Sequence, residues 1–110
     1  METDSEKVVN LEDSLIARIE SLGPIWWHKS FGWMCFHTEK RKFFGGYKVI
    51  DNNILDLLLR LSPEDFPKAL EQGFVKFDFG KTWVETEVTS EEELNRFFPF
   101  IQSAYNFVKK

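Results

Sequence analysis

At 110 residues, 43% hydrophobic and 29% charged, the chain has the length and composition of one globular domain, which excludes disordered and fibrous classes. Its net charge of −4 opposes general nucleic-acid binding, and a single cysteine, Cys35, excludes an internal disulfide. No apolar run reaches bilayer-spanning length and Met1–Val9 is too acidic for a signal peptide, so a cytoplasmic protein with no membrane contact is expected.

Met1–Asn10 is polar and reads as a flexible N-terminal segment ahead of a single domain over 11–110. Leu11, Leu15, Ile16, Ile19 and Leu22 share one helical stripe, and Gly23 and Pro24 end that helix. From Ile25 the period becomes two. Phe31–His37 reads as a strand with Phe31, Trp33, Cys35 and His37 on one face and Met34 and Phe36 on the other. Thr38–Lys42 is the hairpin connection to a second strand, Phe43–Ile50. Gly45 and Gly46 at its middle imply a bulge, a bend, or a bulky neighbour lying over them.

Asp51-Asn52-Asn53 reads as a turn. Ile54–Leu61 follows, with Leu55, Leu57, Leu59 and Leu61 inward and Asp56 and Arg60 outward. Ser62 caps a short helix opening at Pro63 and limited by Pro67, and Gly73 ends the segment. Phe74–Phe79 alternates, Gly80-Lys81 reads as a two-residue hairpin turn, and Thr82–Val88 places Val84, Thr86 and Val88 opposite Trp83, Glu85 and Glu87. Ser90 to Glu93 forms a capping box for a last helix with the stripe Leu94, Phe97, Phe98, Ile101, Ala104, Tyr105 and Val108, kinked or restarted at Pro99. Hairpin-length links predict an α+β fold: an antiparallel sheet of about five strands with the N- and C-terminal helices on one face.

Function points first to residues 25–50. This segment holds three of the four Trp, four Phe and Tyr47, and it carries Lys29, Lys40, Arg41, Lys42 and Lys48 against Glu39 alone. Aromatic platforms beside basic side chains suit single-stranded nucleic acid, with Lys40, Arg41 and Lys42 as anion contacts. Strand aromatics of a small domain equally serve as core, and the acidic balance of the whole chain makes nucleic acid the lesser reading. Cys35 and His37 share a strand face near His28 but lack the second ligand pair of a zinc site, so no metal and no cofactor is expected. Glu85 and Glu87 beside Trp83, with Asp56, Asp78 and Arg60 near, offer an acid–base alternative that ordinary alternation on a half-exposed sheet also produces. Nucleophile-elbow, phosphate-loop and dinucleotide motifs are absent.

An outward Trp83 among carboxylates implies either that the sheet curls over it or that it lines a concave site with Phe74, Trp26 and Trp27. The expected function is therefore a non-enzymatic domain binding a small molecule or a protein partner through an aromatic sheet face, a homodimer contact included. Its residues are Trp26, Trp27, His28, Trp33, Tyr47, Trp83 and Glu85.

Ser21-Leu22-Gly23-Pro24, Lys29–Phe36, Lys40-Arg41-Lys42-Phe43-Phe44, Leu55–Leu59, and Glu92-Glu93-Leu94 through Ala104-Tyr105 together span most of 11–108. This pattern resembles a family of small uncharacterised domains found alone or at the tail of so-called predicted transport proteins. The turn, acidic cap and helix ending in Ala-Tyr are also similar to YjbR-like and luciferase-associated domains, and Phe44–Tyr47 to the amino-terminal domain of TfoX-type proteins. The resemblance implies a compact α+β fold and transfers no activity. Trp26-Trp27-His28 departs from the polar strand start of that pattern.

Overall fold

A computed structural model describes residues 10–51 and 54–109. The polar segment 1–9 and two residues of the Asp51–Asn53 turn thus lie outside the described residues. Helix α1 spans Leu11–Glu20, and Asn10 opens it by accepting the Glu12 N–H at 2.8 Å. The expected stripe is buried at Leu11, Leu15 and Ile19. The chain then turns through Gly23, whose φ of +151° lies in the region that glycine tolerates best.

Where one strand was expected after that turn, there are two. β1 is Ile25–Ser30 and β2 is Trp33–Thr38, joined by Phe31-Gly32. Both turn residues have positive φ, +52° and +84°, the backbone of a two-residue hairpin loop. Gly32 supplies the permissive half, while Phe31 adopts a conformation its side chain disfavours.

Strand β3, Phe43–Asp51, pairs with β2 through a bulge: His37 opposes Phe43, Phe36 opposes Gly45, and Phe44 is the extra residue. The bulge sends Phe43 to one sheet face and Phe44 to the other, where it is fully buried. Gly45 is needed because its register partner Phe36 lays a buried ring over it; a Cβ there would collide with that ring and with the Leu58 carbonyl. Strand β4, Ile54–Arg60, carries Leu55, Leu57 and Leu59 into the core as expected.

Ser62 accepts the Asp65 N–H at 3.2 Å, but the intervening residues only turn, and α2 is Phe66–Glu71. Pro67 thus stands in its first turn instead of limiting it, a position where its missing N–H costs nothing. The expected strand 74–79 shrinks to β5, Val75–Lys76. Phe77 and Phe79 leave the ladder to pack on other rings, so Gly80-Lys81 is part of a longer loop and not a two-residue turn. Strand β6 is Trp83–Val88.

Helix α3, Glu91–Lys109, runs through Pro99 without interruption. Pro99 lies on the exposed side, where a carbonyl left without its helical partner is accessible to solvent. Ser90 accepts the Glu93 N–H at 3.1 Å, while the Glu93 carboxylate accepts the Thr89 N–H at 2.7 Å. The Glu91 carboxylate takes Arg18 at 3.1 Å and Ser14 at 3.0 Å, tying α1 to α3.

The six strands form one antiparallel sheet in the order β1-β2-β3-β4-β6-β5, one strand more than expected. The core lies between one face of this sheet and helices α1 and α3, and includes Leu15, Phe36, Phe44, Leu57, Val84, Phe97 and Ile101. In this α+β architecture both terminal helices lie on a single face, and among the described residues no helix covers the opposite face, called here the open face.

Candidate functional site

Register assigns the open face. Trp26 and His28 of β1, Trp33, Cys35 and His37 of β2, Phe43, Gly46 and Lys48 of β3, Asp56, Leu58 and Arg60 of β4, and Trp83, Glu85 and Glu87 of β6 share it. Among the seven residues singled out for binding, Trp26, His28, Trp33, Trp83 and Glu85 are therefore brought to one surface. Trp27 and Tyr47 are not. Trp27 lies against Phe36 and Tyr47 on the helix side, its indole donating to Glu20 at 3.2 Å. Tyr47 is 3% exposed, and its hydroxyl donates to Glu12.

Two clusters divide this face. At the β1 edge Trp26 stacks on His28, with ring centroids 5.5 Å apart and planes within 6°. The Arg41 guanidinium stands 4.6 Å over the same indole, and the His37 ring meets its edge at 4.8 Å. His37 Nδ1 lies 3.2 Å from the Trp26 carbonyl, and burial lowers its pKa. Arg41 reaches Trp26 from a backbone with φ +63° in the β2–β3 turn; Lys40 and Lys42 beside it are exposed. His28 opposes Cys35 in register, yet among the described residues no three His, Cys, Asp or Glu side chains are placed to hold a metal ion.

The second cluster borders a half-open cavity of about 270 Å³. Cys35 and Leu58 floor it, and between them in register lies Gly46, which adds no side chain. Trp33 and Phe43 form walls from the sheet. Phe77 and Phe79 close it from the β5–β6 loop, Phe77 at 6.2 Å from Trp33 and Phe79 at 6.1 Å from Phe43. Ser30 and Phe31 complete its lining. Burial pushes the Cys35 thiol up, so it acts as a small apolar group at neutral pH.

Trp83 keeps its outward parity but is covered, and the concave site offered with Phe74 and Trp27 does not form, because both of those rings lie on the helix side. Trp83 is 7% exposed, packed against Phe43 at 4.8 Å and Phe79 at 5.2 Å. The bulge at Phe44 delivers Phe43 to it from one side and the loop delivers Phe79 from the other. Beyond these rings a hollow of about 480 Å³ is bordered by Lys42, Arg60 and Phe107.

The carboxylates gather on the far half of the face. Asp56 opposes Glu87 and hydrogen-bonds Glu85; its pKa is pushed up to about 7 by burial first and by those two acids next. The group with perturbed acidity is Asp56, and it borders a shallow hollow of about 310 Å³ with Glu85 and Glu87.

Half of the cavity lining was not foreseen: Phe43, Leu58, Phe77 and Phe79 were not singled out, while Phe31 counted only as an aromatic platform for single-stranded nucleic acid. One signal was available. Leu58 is an apolar residue set between Asp56 and Arg60 on the outward parity of β4, which a solvated face does not require. No protein-family model matches the chain, and no curated protein matches it.

Proposed function

We propose that this chain is a binding domain, not an enzyme, whose open sheet face receives a small apolar or aromatic group. One observation carries this reading. The 270 Å³ cavity has a floor of Cys35 and Leu58 and walls of four aromatic rings, and Phe31 also lines it. A space of roughly 150 Å³ lined by apolar side chains already holds a benzene ring. Walls of Trp and Phe offer edge-to-face contacts and few polar demands, the usual character of a ligand site. Kinship with the small α+β domains that 40–44 and 55–59 resemble belongs to the same proposal.

The carboxylate half supports acid–base chemistry less well, because the hollow beside Asp56, Glu85 and Glu87 is shallow and, among the described residues, is lined by no histidine, lysine or cysteine. The edge cluster supports single-strand binding less well, because the Trp26 ring is already engaged by His28 and Arg41.

Indole added to the protein, followed by amide and side-chain NMR shifts, tests the proposal. Saturable shifts at Trp33, Cys35, Leu58 and Phe79 are expected. Shifts confined to Arg60 and Phe107, or none that saturate, overturn it.

A further inference from the structure

We infer that the hollow of about 480 Å³ beside Trp83 is a second binding site, for a small aromatic carboxylate whose ring lies against Phe43, Phe79 and Phe107 and whose charge is met by Lys42 and Arg60.

Two features of the sequence that the cavity leaves unused meet here: Trp83, and Lys42 of the basic turn 40–42. Topology brings them together. Neighbouring strands run antiparallel, so the start of β3, the end of β4 and the start of β6 fall at one end of the sheet. Lys42 immediately precedes β3, Arg60 closes β4, Trp83 opens β6, and the last turns of α3 deliver Phe107 to the same place. Arg60 opposes Trp83 in register, which sets their side chains next to each other on the open face.

The lining offers two kinds of surface. Phe43 and Phe107 are half-buried and Phe79 is 62% exposed, so all three keep ring area for a guest while Trp83 backs them. Lys42 and Arg60 are exposed, and neither is ion-paired among the described residues. No Asp or Glu lines the hollow, although the chain as a whole carries a net charge of −4. The adjoining cavity shares Phe43 and Phe79 but has no charged residue in its lining. Charge therefore sorts the two sites: a neutral group suits the cavity and an anion suits the hollow.

Arg60 couples the two kinds of surface. Its guanidinium lies 5.6 Å over the Phe107 ring, so a carboxylate taking its paired N–H donors sits beside that ring. A bare anion leaves the rings without a guest, and a neutral ring leaves both cations without a partner. A molecule that joins ring and carboxylate uses both, and the volume exceeds the roughly 150 Å³ that accepts a benzene ring.

NMR titration with phenylacetate, its uncharged analogue phenylacetamide, and inorganic phosphate tests this. Phenylacetate is expected to give saturable shifts at the Trp83 indole N–H, the Arg60 side-chain N–H and Phe107, with affinity falling as salt is raised. Lys42→Gln and Arg60→Gln are each expected to raise its dissociation constant roughly fivefold, the upper range for an exposed charge pair, and to leave phenylacetamide affinity in place. Both side chains are exposed, so neither change empties the core. Equal binding of phenylacetate and phenylacetamide overturns the inference, as does phosphate that shifts the same signals with equal affinity. Phenylacetate shifts confined to Trp33, Cys35 and Leu58 overturn it by placing the ligand in the cavity. No saturable shift with phenylacetate also overturns it, while the result with neutral indole decides the cavity reading separately.

Discussion

The Tyr47 hydroxyl donates to the Glu12 carboxylate at 2.6 Å, joining the middle of β3 to the first turn of α1 through the core. Burial, then the neighbouring acids, drive the Tyr47 hydroxyl pKa far up, so it remains a donor throughout the stable range. The pair explains why a tyrosine in the aromatic segment belongs to the scaffold. Tyr47→Phe removes a hydrogen bond to a charged acceptor and is expected to cost about 1.5–3 kcal/mol in urea denaturation. Indole shifts at the open face should be unchanged, since Tyr47 lies on the other side of the sheet.

Adjacent glycines of β3 answer to opposite faces and are expected to respond differently. A methyl at Gly45 strikes the Phe36 ring and the Leu58 carbonyl, neither of which has room to retreat. Gly45→Ala should therefore lose about 3 kcal/mol, at the upper end of overpacking costs. A methyl at Gly46 meets the Met34 carbonyl at 3.3 Å and the Cys35 Sγ at 3.7 Å, contacts that small shifts relieve. Gly46→Ala should fold, with its methyl taking space between Cys35 and Leu58. Weaker indole binding in this variant at near-native stability would mark the cavity floor.

Stability against pH separates Asp56 from His37. The folded pKa of Asp56 is raised from 3.8 to about 7, so between those values the native state holds more protons than the unfolded chain. Stability from this group is complete below the lower value and is lost as pH rises through the upper one. His37 is shifted down by burial, so its contribution is present above 6.5 and is lost as pH falls. The two oppose each other across the same window. Asp56→Asn should abolish the decline with rising pH and leave the loss on the acid side, and His37→Phe should do the reverse, both read from urea midpoints at pH 5 and 8.

How much of this was legible in the sequence depends on where the deciding force lies. Leu11, Leu15 and Ile19 on α1, Val84 and Val88 on β6 and Leu94 to Val108 on α3 follow from periodicity, because each stripe packs on the sheet side its spacing indicates. The Phe31-Gly32 turn did not, since Phe ranks low for left-handed backbone and the alternation of Trp33, Cys35 and His37 extends smoothly back to it. Phe77 and Phe79 alternate like strand residues, but packing over Trp33, Phe43 and Trp83 outweighs a longer edge ladder. For the site, parity within β6 placed Trp83 and Glu85 correctly on one face. Cover for Trp83 comes from a bulge in β3 and a loop crossing the sheet, which no local pattern encodes.

Arg41 offers a final test, because two effects of similar size act there in opposite directions. Its φ of +63° carries a left-handed penalty of roughly 1 kcal/mol for a residue with a Cβ. Its guanidinium, 4.6 Å over Trp26, returns about 0.5–1 kcal/mol at an exposed site. Arg41→Ala keeps the penalty and loses the contact, so it should destabilise by about that amount. Arg41→Gly loses both and should lie near wild type, offset a little by the freedom glycine adds to the unfolded chain. If Trp26 is held by this contact, both variants should also shift the Trp26 indole N–H resonance, while Lys40→Ala beside them leaves it in place. Equal stability losses for Ala and Gly would mean that backbone strain at position 41 is negligible.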